Sequence, residues 1–247
     1  MRRRVVALLC VVMWLASPAA WAEEEAHGEA VVLVHGLWMG TWVMAALGHR
    51  LRGCGYVDYY FDWSTHDEAP PAAAARLGEW IEERVQEPVV HLLGHSLGGL
   101  VVNHLLASDG FSRPGRVVLM GSPIQGSIQA RRLAVLPGGR EILGASIAAG
   151  GLLEGVKPVT GGREVGVVAA IFPFEYSEFL GELDGPSDGV VRVVETFHPG
   201  AADTLVVRAT HSGMLFSRDV AEEVCAFLRE GRFLHGAKAA AGEVAVR

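Results

Sequence analysis

Three side chains in this sequence stand where acyl-transfer chemistry would need them: a serine, an aspartate and a histidine, at positions 96, 188 and 211. Ser96 lies in Gly94-His95-Ser96-Leu97-Gly98, directly after the apolar run 89–93 and just before a helical pattern. A serine held between glycines at a strand-to-helix turn is forced into a strained conformation. The glycines let the two elements pass closely, so the hydroxyl is presented at the strand end. That hydroxyl is a poor nucleophile until a base takes its proton.

The base is sought among ten histidines. With a serine elbow of this kind, the acid and then the histidine follow in chain order. His211, in "RATHSGML", comes just past an apolar strand pattern and so falls at the same sheet edge as Ser96. His198 is the rival, but it precedes that strand. His95 is too near Ser96 in sequence to turn back onto it and reads as support for the turn. His91 and His104 fall at packing positions. For the acid, Asp188 in "GPSDGVV" sits in a sharp turn that presents one side chain, although aspartate is also an ordinary turn-former. Asp184 and Asp203 are its rivals; Asp203 falls at the opposite edge.

A tetrahedral oxyanion needs backbone donors. Leu97, next after the serine, supplies one N–H. The turn His35-Gly36-Leu37, after the first strand, supplies the N–H of Leu37. Trp38 and Met39 then fall where an acyl pocket would be lined, although aromatic residues on loops also pack against lids.

The elements that position these residues alternate. The continuous apolar run 30–34 predicts a strand buried on both faces, and the largely apolar stretches 89–93, 116–120, 165–171 and 204–209, with the aromatic run 56–61, predict further strands. Helical spacing predicts helices over 41–52, 70–86, 97–108 and from Ser217 onwards. This order predicts an α/β domain with a mostly parallel sheet flanked by helices, whose site lies beyond the carboxyl ends of the strands. Residues 122–164 break the rhythm with nine glycines. They read either as a loose excursion or as a cap over the site. Residues 231–247 read as a frayed end.

At 247 residues, half of them hydrophobic, the chain fits one large domain. Arg2, Arg3 and Arg4, the apolar stretch 5–15 and Ala20-Trp21-Ala22 read as a secretory leader over 1–22. Cleavage is expected after Ala22, leaving 23–247 as the domain and a secreted or periplasmic protein. Removing those three arginines leaves 18 basic against 28 acidic residues, net −10. No basic cluster remains to follow a phosphate backbone, so nucleic acid is not an expected partner. No spacing calls for a metal or a cofactor.

The segments "LVHGLWMG", "LLGHSLGG", "VVLMGSPIQGS", "SDGVV" and "THSGML" stand in the order found in α/β-hydrolase-fold lipases and esterases. Over about residues 30–230 the chain resembles the bacterial lipase group, inositol-deacylase-like relatives included. The resemblance implies the α/β-hydrolase fold, in which 122–164 would be the cap if it is one. It implies Ser96, Asp188 and His211 as a catalytic triad and Leu37 and Leu97 as the oxyanion hole. The implied substrate is a carboxylic ester, lipid or acyl, met in passing at a lipid interface; thioester or amide cleavage, or silent lipid binding, are the alternatives. Many lipases have Gly-Thr-Pro-His where this chain has Gly121-Ser122-Pro123-Ile124. In such a fold the helices carrying Cys54 and Cys225 share one face of the sheet, which leaves a disulfide between them open.

Overall fold

The computed structural model describes residues 28–108, 111–172, 181 and 183–236. The expected leader and the tail beyond 236 lie outside these. Strands β1 (Ala30–Val34), β2 (Val57–Phe61), β3 (Val90–His95), β4 (Val117–Met120), β5 (Val165–Ala170) and β6 (Asp203–Val207) form one sheet in the order β2-β1-β3-β4-β5-β6. Every neighbouring pair is parallel. All carboxyl ends therefore emerge at one edge.

Side-chain alternation divides the core. Ala30, Val32 and Val34 of β1 turn to one face, beneath helices α2 (Pro70–Arg84) and α3 (Leu97–Leu106). Val31 and Leu33 turn to the other, beneath α1 (Ala45–Gly53) and a C-terminal helix, α6 (Arg218–Glu230). Burial on both faces explains why these strands read as unbroken apolar runs. Pro70 at the start of α2 suits a position whose N–H would be unpaired in any case. Ser217 caps α6 by accepting the Val220 N–H at 3.3 Å.

Three boundaries differ from those expected. β3 continues to His95 because Gly94 and His95 pair with Leu119 and Met120 of β4. The helix expected from Thr41 opens as a 3-10 turn, Thr41–Met44, with no side-chain cap before α1. Residues 231–236 are not frayed: Phe233 is buried against Phe227, and Asp203 and Glu223 accept the N–H groups of Phe233 and Leu234.

Cys54, at the end of α1, forms a disulfide with Cys225 of α6, Cα to Cα 6.3 Å. The 122–164 segment is a folded wall rather than a loose excursion. It contains α4 (Ile128–Ala134) and α5 (Gly139–Leu143), and it sends Ile124, Ala130, Leu143 and Leu152 into the core.

Candidate active site

Ser96 joins β3 to α3 with φ +53°, the left-handed region that a serine enters only when its surroundings impose it. The neighbouring glycines impose it. A Cβ at Gly98 would lie 2.2 Å from the Val34 carbonyl oxygen, and one at Gly94 would lie 2.5 Å from Gly99 Cα. The Ser122 hydroxyl donates to the Gly94 carbonyl at 3.2 Å and braces the turn from below. In the stretch where the chain departs from many lipases, Ser122 and Ile124 are thus buried supports, and only Pro123 lines the cavity.

His211 follows β6 and Asp188 follows β5, both at the carboxyl edge. The His211 Nδ1 to Asp188 Oδ2 distance is 2.7 Å, with both side chains almost fully buried. Asp188 Oδ1 accepts the N–H groups of Val190 and Val191 at 2.9 and 2.7 Å. The carboxylate is therefore fixed on one oxygen by backbone and offers the other to the imidazole. The rivals are elsewhere. Asp184 is exposed, Asp203 binds the C-terminal segment, and His198 is turned onto the Val159 carbonyl. His91 is engaged by Glu29 and the Arg116 N–H, and His104 by the Gly150 carbonyl.

His95 supports His211 from behind. Its Nε2 donates to the His211 carbonyl at 3.1 Å, and the two rings lie 4.8 Å apart. Burial, and then the neighbouring His211, push its pKa down to about 3. His95 thus stays neutral, and no second positive charge opposes an imidazolium at His211.

The loop after β1 lies against the serine: a Cβ at Gly36 would be 2.8 Å from Ser96 Cβ. No described residue accepts a hydrogen bond from the Leu37 or Leu97 N–H. The Ser96 hydroxyl likewise has no partner among the described residues, as is common before substrate is seated. Ser96, His211, Leu37, Trp38 and Met39 line one cavity of about 150 Å³ with Pro123, Ala130, Leu133, Leu143, Leu152, Val190 and Val191. Among the described residues no three His, Cys, Asp or Glu side chains converge as a metal would require.

Residues 31–225 match the alpha/beta hydrolase family. The chain belongs to that family. No curated relative matches the sequence. Among solved structures, this alpha/beta hydrolase is similar to a mature Bacillus licheniformis lipase, with TM-score 0.63 and 17% identity over 84% of this chain and 93% of that one. It is also similar to a metagenomic carboxyl esterase, with TM-score 0.58 and 20% identity over 75% of this chain and 65% of that one. It therefore spans just under two thirds of that esterase. A lipase-esterase related protein from Clostridium acetobutylicum gives TM-score 0.55 and 12% identity over 81% and 93%.

Sequence reasoning about this alpha/beta hydrolase missed the far wall of the cavity and what braces it. Glu195 is 2% exposed. Its carboxylate accepts the N–H groups of Ile128 and Arg192 at 2.8 and 2.9 Å, and so binds the Asp188 loop to the first turn of α4. The one local signal was an acid, with Arg192 three residues before it, in the valine-rich run 190–197.

Proposed function

We propose that this chain is a serine hydrolase that cleaves carboxylic esters through an acyl-enzyme. Ser96 attacks the carbonyl carbon while His211 takes the hydroxyl proton. The Leu37 and Leu97 N–H groups hold the oxygen that becomes negative. The tetrahedral intermediate collapses, breaking the bond to the alkoxy oxygen, to which His211 returns the proton. Water then repeats the sequence on the acyl-serine and releases the acid. Asp188 keeps the proton of neutral His211 on Nδ1, so that Nε2 faces the reaction as a base. The observation that carries this reading is the 2.7 Å contact of buried Asp188 with His211, which lines one cavity with Ser96, a serine at φ +53°.

The test is Ser96→Ala assayed on a chromogenic butyrate ester. Turnover should fall by about 10⁴ or more, with the fold intact. Retention of a tenth of the activity would exclude Ser96 as nucleophile.

The surroundings fit an exported enzyme acting at lipid. A disulfide is at home in an oxidising compartment, in keeping with a leader cleaved after Ala22. Trp38, which lines the cavity, is exposed, as are Ile142, whose carbonyl accepts the Trp38 indole N–H, and Trp42, Val135 and Leu136, within three residues in sequence of the lining residues Met39 and Leu133. This apolar rim is suited to transient contact with an aggregated or membrane-borne ester.

A further inference from the structure

Resting on that reading, the most demanding requirement of the site is the aim of the Leu37 N–H, because it comes from a loop rather than from a helix end. Two peptide planes flank Leu37. The carbonyl of the first, between Gly36 and Leu37, faces His35 Nδ1 at 3.1 Å and accepts the Met39 N–H at 3.3 Å. Across that rigid plane the Leu37 N–H points the opposite way. The second plane, between Leu37 and Trp38, is fixed differently. Trp38 sits at φ +56°, a strained conformation for a bulky residue that its surroundings must hold. Its N–H donates to the Thr65 Oγ1 at 3.1 Å, 27 residues away. Thr65 is 6% exposed, so water does not readily replace this acceptor.

Thr65 is itself anchored on both sides. Two residues earlier, Trp63 Nε1 donates to the His35 carbonyl at 3.3 Å, below the same loop. One residue later, the His66 carbonyl accepts the Ala145 N–H at 2.7 Å, and His66 Nε2 meets the Glu141 carbonyl at 2.9 Å. The Trp38 indole closes the circuit by donating to the Ile142 carbonyl at 3.2 Å. The segment 63–66 thus joins the donor loop to the cap wall.

We propose that Thr65 is a positioning residue for the reaction. It touches no substrate. By accepting the Trp38 N–H it fixes the second plane, and so limits how far Leu37, the hinge between the two planes, can turn the first plane and its N–H away from the oxyanion. An oxyanion donor acts on the tetrahedral state far more than on the bound ester, so loosening its aim lowers kcat and leaves KM in place.

The experiment compares Thr65→Val, Thr65→Ala and Thr65→Ser with the unaltered protein on p-nitrophenyl butyrate, with thermal melting on each and Ser96→Ala as control. Removing a whole oxyanion donor costs roughly 10²–10³ in kcat, so a misaimed one should cost about 10- to 100-fold. Both Thr65→Val and Thr65→Ala should show that loss with KM within about twofold, while Thr65→Ser, which keeps the acceptor, should recover to within about threefold of the unaltered enzyme. If Val or Ala fails to fold, the other against Ser still isolates the oxygen. The proposal is overturned if kcat stays within twofold in the oxygen-free variants, if Ser loses as much as Ala, or if KM alone rises. Activity persisting in Ser96→Ala would instead overturn the hydrolase reading, and this proposal with it.

Discussion

Asp188→Asn separates orientation from packing more cleanly than any other change at the site. Asparagine keeps a carbonyl oxygen where Asp188 Oδ1 accepts the Val190 and Val191 N–H groups, so the turn at 186–193 should survive. It places an NH₂ where Oδ2 faces His211 Nδ1 at 2.7 Å. Two donors cannot share that contact, so the imidazole must turn its Nδ1 lone pair to the amide and carry its proton on Nε2. In that tautomer it cannot accept the Ser96 proton. Loss of the orienting acid in a comparable triad costs about 10⁴ in kcat. We expect a fall of about 10³–10⁴, equivalent to about 4–5.5 kcal/mol of barrier. The melting temperature should move by only a few degrees, since one charge-assisted contact is exchanged for a neutral one. Steady-state hydrolysis of a butyrate ester beside a thermal melt measures both. A variant retaining more than a tenth of the turnover would refute the role given to Asp188. A collapse of the melt would show that its role is to hold the loop.

Other outcomes follow from the same geometry. Replacing Cys54 and Cys225 by serine frees a 171-residue separation, and chain entropy alone puts the stabilisation lost at about 5 kcal/mol. The melt should fall by roughly 10–20 °C, and a shift under 2 °C would show that the bridge adds no stability. His66 is clasped by the Asp67 carboxylate at 2.9 Å and the Glu141 carbonyl at 2.9 Å, both acceptors, so it satisfies both only as the imidazolium. The Asp67 hydrogen bond, and then the Glu141 carbonyl, raise its pKa above 6.5. Its contribution is therefore complete below pH 6.5 and lost as the pH rises through the raised value. An NMR titration should show the raised value falling back in Asp67→Asn; an unchanged midpoint would refute the clasp. Finally, a cavity of about 150 Å³ matches one known to hold a benzene-sized group. Short esters should give smooth saturation, and long-chain esters a step in rate where they aggregate at the apolar rim. A smooth curve through the solubility limit would remove the interfacial reading.

The site residues were legible where local pattern and strand polarity coincide. Ser96 announced itself because glycines on both sides of a strand end have little other use, and His211 because it follows an apolar strand at the same edge. Asp188 was legible only as a turn residue, since its approach to His211 depends on two loops meeting. Thr65 and Glu195 escaped because each acts through a partner 27 or 67 residues away, and no spacing rule reports such contacts; His95 read as support for the turn, but its partner, the His211 carbonyl 116 residues on, was hidden in the same way. The cap misled in part for a related reason. Its glycines suggested looseness, whereas Ile124, Leu143 and Leu152 are core residues whose burial depends on the sheet face beneath them. The extension of β3 to His95 was equally hidden, because parallel pairing with β4 sets that boundary.

The Cys54–Cys225 bridge also changes what a broken backbone means for this chain. Ser96, the cap, Asp188 and His211 all lie inside the loop it closes. One cut by a protease at the exposed Val135-Leu136 would leave both fragments tied together, at an effective concentration far above that of two free chains. A nicked molecule should run as a single species until it is reduced, and keep its serine, acid and histidine on one scaffold. If the chain is exported, as proposed above, and meets proteases, that tolerance has a use separate from thermal stability.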